Sequence, residues 1–370
     1  MGIIGALDVH RQQLTFDYVD TVTGQVLRGK IAPADRPHLR AWLTRFAGVD
    51  DVEFVVEAGT GWRYVVDELV RAGAGAVLAE PADTAALRGR RRHAKTDQAD
   101  AKLMREAQQA GRIPQCYIPP QHVLECRALL ASYADLRRDH TAYVQRIRAV
   151  LFHHGAPAGG ELGTQAGRHA ALAAAVPYLT PTARVQVDVN TAMLESIEIH
   201  LYEVRRELLR RARQLRGARL LQQTIYGVGP ITALALVCWL GGEKRFSSSR
   251  KAVRFAGLDI TVHSSDSKRS PGRLSRQGPS VLRWCLYEAG KTGARTTSPD
   301  HDYYATVKDR KNGKRAALSQ ARRVARYACH LLTALGDDAF TVTTHTGPAR
   351  CTARRTARPV APPHDTEAAA

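Results

Sequence analysis

Apolar positions in the first hundred residues come in short runs. Ile3-Ile4-Gly5-Ala6-Leu7 leads into Asp8, and residues 14–19 and 26–31 follow as two more strand-like runs with Gly24 in the turn between them. This spacing predicts a three-stranded antiparallel meander that carries Asp8 in its first strand. Residues 33–47 then repeat apolar side chains at helical spacing through Leu39, Trp42, Leu43 and Phe46, and Val52-Glu53-Phe54-Val55-Val56 forms a buried strand closed by Glu57. Gly59 and Gly61 break the chain, residues 62–71 are helical, and residues 76–79 are a short strand before Pro81. The order β-β-β-α-β-α-β-α predicts a mixed α/β sheet with helices on its faces.

From residue 124 to 152 the period changes. Leu129, Tyr133, Leu136, His140, Tyr143, Ile147 and Val150 alternate at spacings of four and three, the a/d seam of a coiled coil with His140 as a polar position that fixes register. Leu194, Ile197, Leu201, Val204, Leu208 and Leu215 repeat the rule, with Arg211 as the exception. Two long helices separated by the Gly/Ala/Pro-rich segment 155–187 predict either a hairpin or a dimerisation arm. Past Arg219 the run Ile225-Tyr226-Gly227-Val228-Gly229-Pro230-Ile231-Thr232-Ala233 has the turn of a helix-hairpin-helix module, in which Gly227 and Gly229 would hold a backbone phosphate on amide N–H groups. A plain tight turn between core helices uses the same glycines. Residues 261–279 lose apolar periodicity and collect serines, glycines and Lys268, Arg269, Arg273 and Arg276, the composition of a basic surface loop. Residues 280–295 and 316–335 are helical patterns, the second rich in arginine, and residues 341–370 have the composition of a disordered tail. The expected division is a catalytic domain at 1–120, coiled-coil and linker helices at 121–216, a helical C-terminal domain at 217–340 and the tail.

Charge narrows the class of partner. The 370 residues hold 54 Lys+Arg against 35 Asp+Glu, a formal net charge of +19 spread over several segments, which points to nucleic acid as the polyanion bound. No apolar run reaches the roughly 20 residues of a membrane span and the first residues lack a signal-peptide pattern, so a cytoplasmic protein acting at the nucleoid is expected, with no membrane partner. The six cysteines stand singly, without a CxxC pair, and are expected to be reduced thiols.

Candidate chemistry gathers at two places. In Lys95-Thr96-Asp97-Gln98-Ala99-Asp100, which follows the basic run containing Arg90, Arg91 and Arg92, Asp97 and Asp100 share one helical face. With Asp8 and Glu57 at strand ends, four carboxylates would converge, and they would repel unless one or two Mg²⁺ ions, which favour carboxylate oxygen, neutralised them. Arg90, Arg91, Arg92 and Lys95 would hold nucleic acid beside them. In the basic loop, a serine hydroxyl near phosphate-binding Lys268, Arg269, Arg273 and Arg276 would attack a phosphodiester and store its energy as a phosphoserine.

Three motifs in order, Ala6-Leu7-Asp8-Val9-His10, Val56-Glu57-Ala58-Gly59-Thr60-Gly61-Trp62 and Lys95-Thr96-Asp97-Gln98-Ala99-Asp100, resemble the DEDD signature of the insertion-sequence transposases of the IS one-ten family. The resemblance implies an RNase H/RuvC-like N-terminal domain whose catalytic and metal-binding residues are Asp8, Glu57, Asp97 and Asp100, and a C-terminal transposase domain with a catalytic serine. Gly257-Leu258 and Gly272-Arg273-Leu274-Ser275-Arg276-Gln277-Gly278 resemble the two ends of the family's second motif, which places Ser265 at the nucleophile. Asp266 stands where the family has glycine, and Ser264 is the alternative hydroxyl. The family further implies a homodimer or tetramer and a structured guide, or bridge, RNA that pairs with donor and target DNA. The competing enzymatic reading is a RuvC-like nuclease or Holliday junction resolvase in which water cleaves. The non-enzymatic one is a coiled-coil nucleic-acid scaffold, against which the ordered carboxylates argue.

Overall fold

The alternation of the first strands resolves into two faces with different coverings. In this computed structural model, which describes residues 2–87, 96–157, 161–243, 245–265 and 268–343, the chain forms two units, Met1–Pro120 and a second from Gln121 onward. Unit one holds a five-stranded sheet in the order β3-β2-β1-β4-β5, built from β1 (Ile3–Val9), β2 (Leu14–Asp20), β3 (Val26–Ile31), β4 (Glu53–Glu57) and β5 (Gly75–Ala79). β1–β2 and β2–β3 are antiparallel, as the meander required, while β1–β4 and β4–β5 are parallel. The helices are α1 (Arg36–Leu43), α2 (Trp62–Arg71), α3 (Pro81–Ala86) and α4 (Asp97–Gln109). The mixed sheet flanked by helices is consistent with an RNase H-like fold.

Side chains alternate in period two. Leu7, Phe16, Phe54 and Val56 face α1 and α2, where Leu39, Trp42, Val65 and Leu69 complete the larger core. Ala6, Val55 and Ala79 face the other way, against Met104 and Ala107 of α4. Asp8, Asp17 and Glu57 are even-numbered steps from Ala6, from the cross-strand partner of Ala6 and from Val55, so all three belong to the face that α4 covers. The sheet thus brings these three acids to one side.

Unit two opens with two long helices, α5 (Gln121–His153) and α7 (Pro181–Gln214), which pack along each other within the chain. The expected seam is rotated by one residue over half its length. Tyr133 and Ile147 are buried as predicted, but Leu130, Val144 and Leu151 take the deep positions and Leu129, Tyr143 and Val150 the flanks. Each of those pairs is two adjacent apolar residues, so the stripe is wider than a strict a/d seam and spacing alone admits either member. The described residues between 161 and 187 are largely helical and not a plain linker. Their alanine-rich stretch forms α6 (Gln165–Ala175), capped by Thr164 Oγ1, which accepts from Gly167 N at 3.2 Å, and α7 begins among them at Pro181. Alanine is the strongest helix former, which explains the difference. His140 has a partner: its Nε2 lies 3.2 Å from Glu198 Oε1, and the fully buried Arg168 grips the same carboxylate at 3.0 and 2.9 Å. The polar seam position therefore ties three helices together.

The remainder comprises α8 (Arg216–Thr224), α9 (Pro230–Leu240), α10 (Ser249–Phe255), β6 (Ile260–Ser265), β7 (Lys268–Leu274), α11 (Ser280–Lys291), α12 (His301–Arg310) and α13 (Gly313–Leu335). α9 is buried on every side from Ala233 to Leu240 and forms the centre on which α8, α11 and α13 pack. The five described cysteines are free thiols. Among the described residues no helix is long and apolar enough to cross a membrane.

Candidate active site

On the α4 side of the sheet, Asp8 sits near the end of β1 with only 7% of its surface exposed. Thr96 caps α4 by accepting from Ala99 N at 3.2 Å, which sets Asp97 and Asp100 in the first turn, where the helix dipole favours negative charge. From there the residues at i+4 and i+7, Met104 and Ala107, anchor the same helical stripe on the sheet, so the Asp97–Asp100 edge lies over the end of β1. His10 Nε2 stands 3.0 Å from Asp8 Oδ2 and 3.3 Å from Asp97 Oδ1. Gln13 Nε2 donates to the other oxygen of Asp97 at 3.3 Å.

Burial raises the Asp8 carboxyl above its ordinary value; His10 opposes this, and the negative charges of Asp97 and Asp100 add to it. Asp100 is therefore within electrostatic reach of Asp8. Glu57 follows Val56, which is in register with Leu7, so it is level with Asp8 on the adjacent parallel strand and pairs with Ala79 on its other side. Among the described residues, the ligand atoms of Asp8, His10 and Asp97 gather within 4.8 Å of one another. Asp100 and Glu57 border that group without belonging to it. The two carboxylates, of Asp8 and Asp97, suit a divalent cation. A further observation agrees: Thr15, cross-strand from Asp8 and 1% exposed, has a hydroxyl with no hydrogen-bond partner.

Sequence spacing named the carboxylates and missed His10. The signal was present, since Asp8 and His10 are two residues apart at a strand end and so share a face. Spacing also missed what holds α4 in place. Asp17, fully buried on β2, accepts from Arg105 Nε of α4 and from Arg28 Nε of β3, the latter at 2.7 Å. Removing one partner of a buried ion pair leaves the other charge uncompensated. Asp17→Asn is expected to lower unfolding stability by about 3 kcal/mol, measured as a shift in the urea midpoint. An unchanged midpoint would mean that this pair does not secure α4.

In unit two, the segment expected as a basic loop is an antiparallel hairpin, with Ser265 paired to Lys268 and Ser264 to Arg269 in backbone register. Composition hid it because its strands carry serine and arginine in place of an apolar face, so the period-two signal is absent. Gly257 and Gly278 explain why the motif has glycine at both ends. Their φ angles are +67° and +76°, and a Cβ on either would collide with the carbonyl oxygen of Gln277 or of Phe255, so backbone packs on backbone at the base of the hairpin. Asp259 accepts from Ser275 Oγ there, and Arg283 Nη1 donates to Gln277 O at 3.3 Å. Arg273 and Arg276 are exposed. Two of the arginines on the second helical pattern are structural: Arg322 Nε donates to Leu258 O at 2.7 Å, and Arg323 pairs with Asp300 at 2.7 Å. The side chains of Ser264, Ser265, Lys268 and Arg269, and the whole of Arg90, Arg91, Arg92, Lys95 and Asp266, lie outside the described residues.

The Gly227–Gly229 turn joins α8 to α9 and lines a cleft of about 600 Å³ with residues 222–226, Thr292 and Arg295. Gly227 has φ +78° and lies so close to Thr292 that a side chain would clash with its hydroxyl. Gly229 caps α9 with open space beside it.

The two regions match known families in the same order. Residues 6–154 match a DEDD-type IS110 transposase family model, and residues 218–305 match the model described as "Transposase IS116/IS110/IS902 family". A curated protein named "Probable family 20 transposase", from Pseudomonas aeruginosa, is 25% identical over 210 residues, 54% of this chain. The match spans 60% of that relative's own length.

Proposed function

Because the chain belongs to the IS110 family of insertion-sequence transposases, we propose that it is a DNA transposase/recombinase that breaks and rejoins strands through a phosphoserine–DNA intermediate. The observation that carries this reading is the gathering of Asp8 and Asp97 at the end of β1, with Asp100 and Glu57 bordering them, inside the region matched to the DEDD family. Asp8, Glu57, Asp97 and Asp100 would hold one or two Mg²⁺ ions, whose charge would supply polarisation of the scissile phosphate and stabilisation of the leaving 3′ oxygen.

The protein's own groups do the rest. Ser265, or Ser264 beside it, supplies the Oγ that bonds to phosphorus as the P–O3′ bond breaks, and the 3′ oxygen leaves as a hydroxyl. The retained phosphoester lets a second 3′ hydroxyl attack and release the serine, so no external energy is required for rejoining. Lys268, Arg269, Arg273 and Arg276 of the hairpin, Arg90, Arg91, Arg92 and Lys95 ahead of α4, and the amides of the Gly227–Gly229 turn bind phosphates. Such contacts do not read sequence. Sequence choice is assigned to a structured guide RNA that pairs with donor and target DNA, with the protein acting as a homodimer or tetramer. The net charge of +19 supports backbone binding on this scale.

One observation favours a second reading. The candidate metal-site carboxylates Asp8, Glu57, Asp97 and Asp100 all belong to unit one, which is sufficient for a RuvC-like nuclease or junction resolvase that uses water. The test is to incubate the protein, co-expressed with the non-coding DNA flanking its reading frame, with Mg²⁺ and DNA carrying the element's ends, then denature. The transposase reading expects a covalent protein–DNA adduct that maps to Ser265. Cleavage without any adduct would select the nuclease.

A further inference from the structure

We propose that His10 is a nitrogen ligand of the divalent cation held at Asp8 and Asp97, and that it shifts the preference of the centre from Mg²⁺ toward Mn²⁺. The inference rests on the reading of the carboxylates as metal ligands. His10 Nε2 lies 3.0 Å from Asp8 Oδ2 and 3.3 Å from Asp97 Oδ1. An imidazole carries at most one hydrogen on that nitrogen and can aim it well at only one carboxylate. A single cation among the three atoms satisfies all of them. Ligands about 2.1 Å from an octahedral ion stand about 3.0 Å apart along each edge, close to the 3.0 and 3.3 Å that separate His10 Nε2 from the two carboxylate oxygens. Gln13 occupies the other oxygen of Asp97, leaving Oδ1 directed to the same point.

Thr15 adds an independent sign that the position is built for a ligand. Its hydroxyl is buried and without a partner beside Asp8, the situation of a group that meets a bound ion or its water. His10 itself has 49% of its side chain exposed, so it closes the mouth of the site and is not part of the core. Mg²⁺ strongly prefers oxygen, whereas imidazole nitrogen favours first-row transition ions. A mixed set of carboxylates and one imidazole therefore discriminates between two ions of equal charge.

The experiment uses the full chain, wild type and His10→Ala, with Mn²⁺ followed by electron paramagnetic resonance and Mg²⁺ measured by displacement of Mn²⁺. Pulsed measurements on wild type are expected to show coupling of bound Mn²⁺ to an imidazole ¹⁴N, absent in His10→Ala. That variant should bind Mn²⁺ about tenfold more weakly or worse, with a clearly smaller loss for Mg²⁺. If bound Mn²⁺ shows no nitrogen coupling, or if His10→Ala binds both ions as well as or better than wild type, His10 is only a counter-charge and the proposal is overturned. If wild type binds neither ion, the metal reading of the carboxylates fails first, which is a different result. Because the substitution is at the exposed mouth, circular dichroism of His10→Ala should match wild type.

Discussion

Asp8→Asn is expected to lower strand cleavage by roughly 10³-fold or more and, at the same time, to raise the melting temperature of the metal-free protein at neutral pH. The two effects have one cause. Asp8 is 7% exposed, and burial together with Asp97 and Asp100 raises its pKa in the folded state. A carboxyl whose folded pKa exceeds its unfolded value contributes stability below the unfolded pKa. That contribution is lost as pH rises through the folded pKa. At pH 7 the ionised Asp8 is therefore a net cost to the apo fold, only partly offset by His10. Asparagine removes the charge and with it both the cost and the ligand. Calorimetry in EDTA should show the variant melting higher at pH 7 and the difference shrinking toward pH 4. Added Mn²⁺ should reverse the order, since only wild type gains binding energy, about 2.7 kcal/mol at a hundredfold excess over Kd. A variant that melts lower than wild type at pH 7 in EDTA would mean that Asp8 is held by favourable contacts instead of strained by repulsion.

Unit one was largely legible because its strands and helices each obey one period. The short apolar runs at residues 3–7 and 52–56 placed Asp8 and Glu57 at strand ends, and the i, i+3 spacing placed Asp97 and Asp100 on one helical face. What joins them was not legible. His10 reaches Asp97 across 87 positions of chain, and Asp17 reaches Arg105 across 88; such meetings depend on how α4 docks, which no local spacing encodes. Asp17 did leave a trace, as a lone charge inside the apolar run of residues 14–19. A buried strand tolerates such a residue only with a partner supplied by tertiary structure.

The helical arm shows a different limit. Leu129–Leu130, Tyr143–Val144 and Val150–Leu151 each offer two apolar neighbours, and the choice between them is made by the partner helix. The Arg168–Glu198–His140 group is the matching tertiary constraint, because it fixes α5, α6 and α7 at one point. The hairpin at β6–β7 was hidden for yet another reason. Its flanking glycines were visible as a motif, but their role is steric, at close backbone approaches that spacing does not reveal.

Ser265→Ala is expected to abolish the covalent protein–DNA adduct while leaving Mn²⁺ binding unchanged. The described metal-site carboxylates lie within unit one, and β6 belongs to unit two. Loss of a sole nucleophile removes the covalent route altogether, so the expected drop in adduct is at least roughly 10³-fold, as for other residues on which a covalent step depends. Ser264→Ala supplies the control one register position away, opposite Arg269 where Ser265 is opposite Lys268; it should keep forming the adduct. The opposite pattern, adduct lost in Ser264→Ala and kept in Ser265→Ala, would move the nucleophile by one residue and leave the transposase mechanism intact. Strand cleavage that persists in Ser265→Ala and Ser264→Ala alike, still dependent on Mg²⁺ and still lost in Asp8→Asn, would instead assign the chemistry to water at the unit-one carboxylates. The hairpin would then be a DNA-binding element only. Metal binding and adduct formation thus separate the contributions of the two units, since Ser265→Ala loses the adduct and keeps the metal, whereas Asp8→Asn loses both.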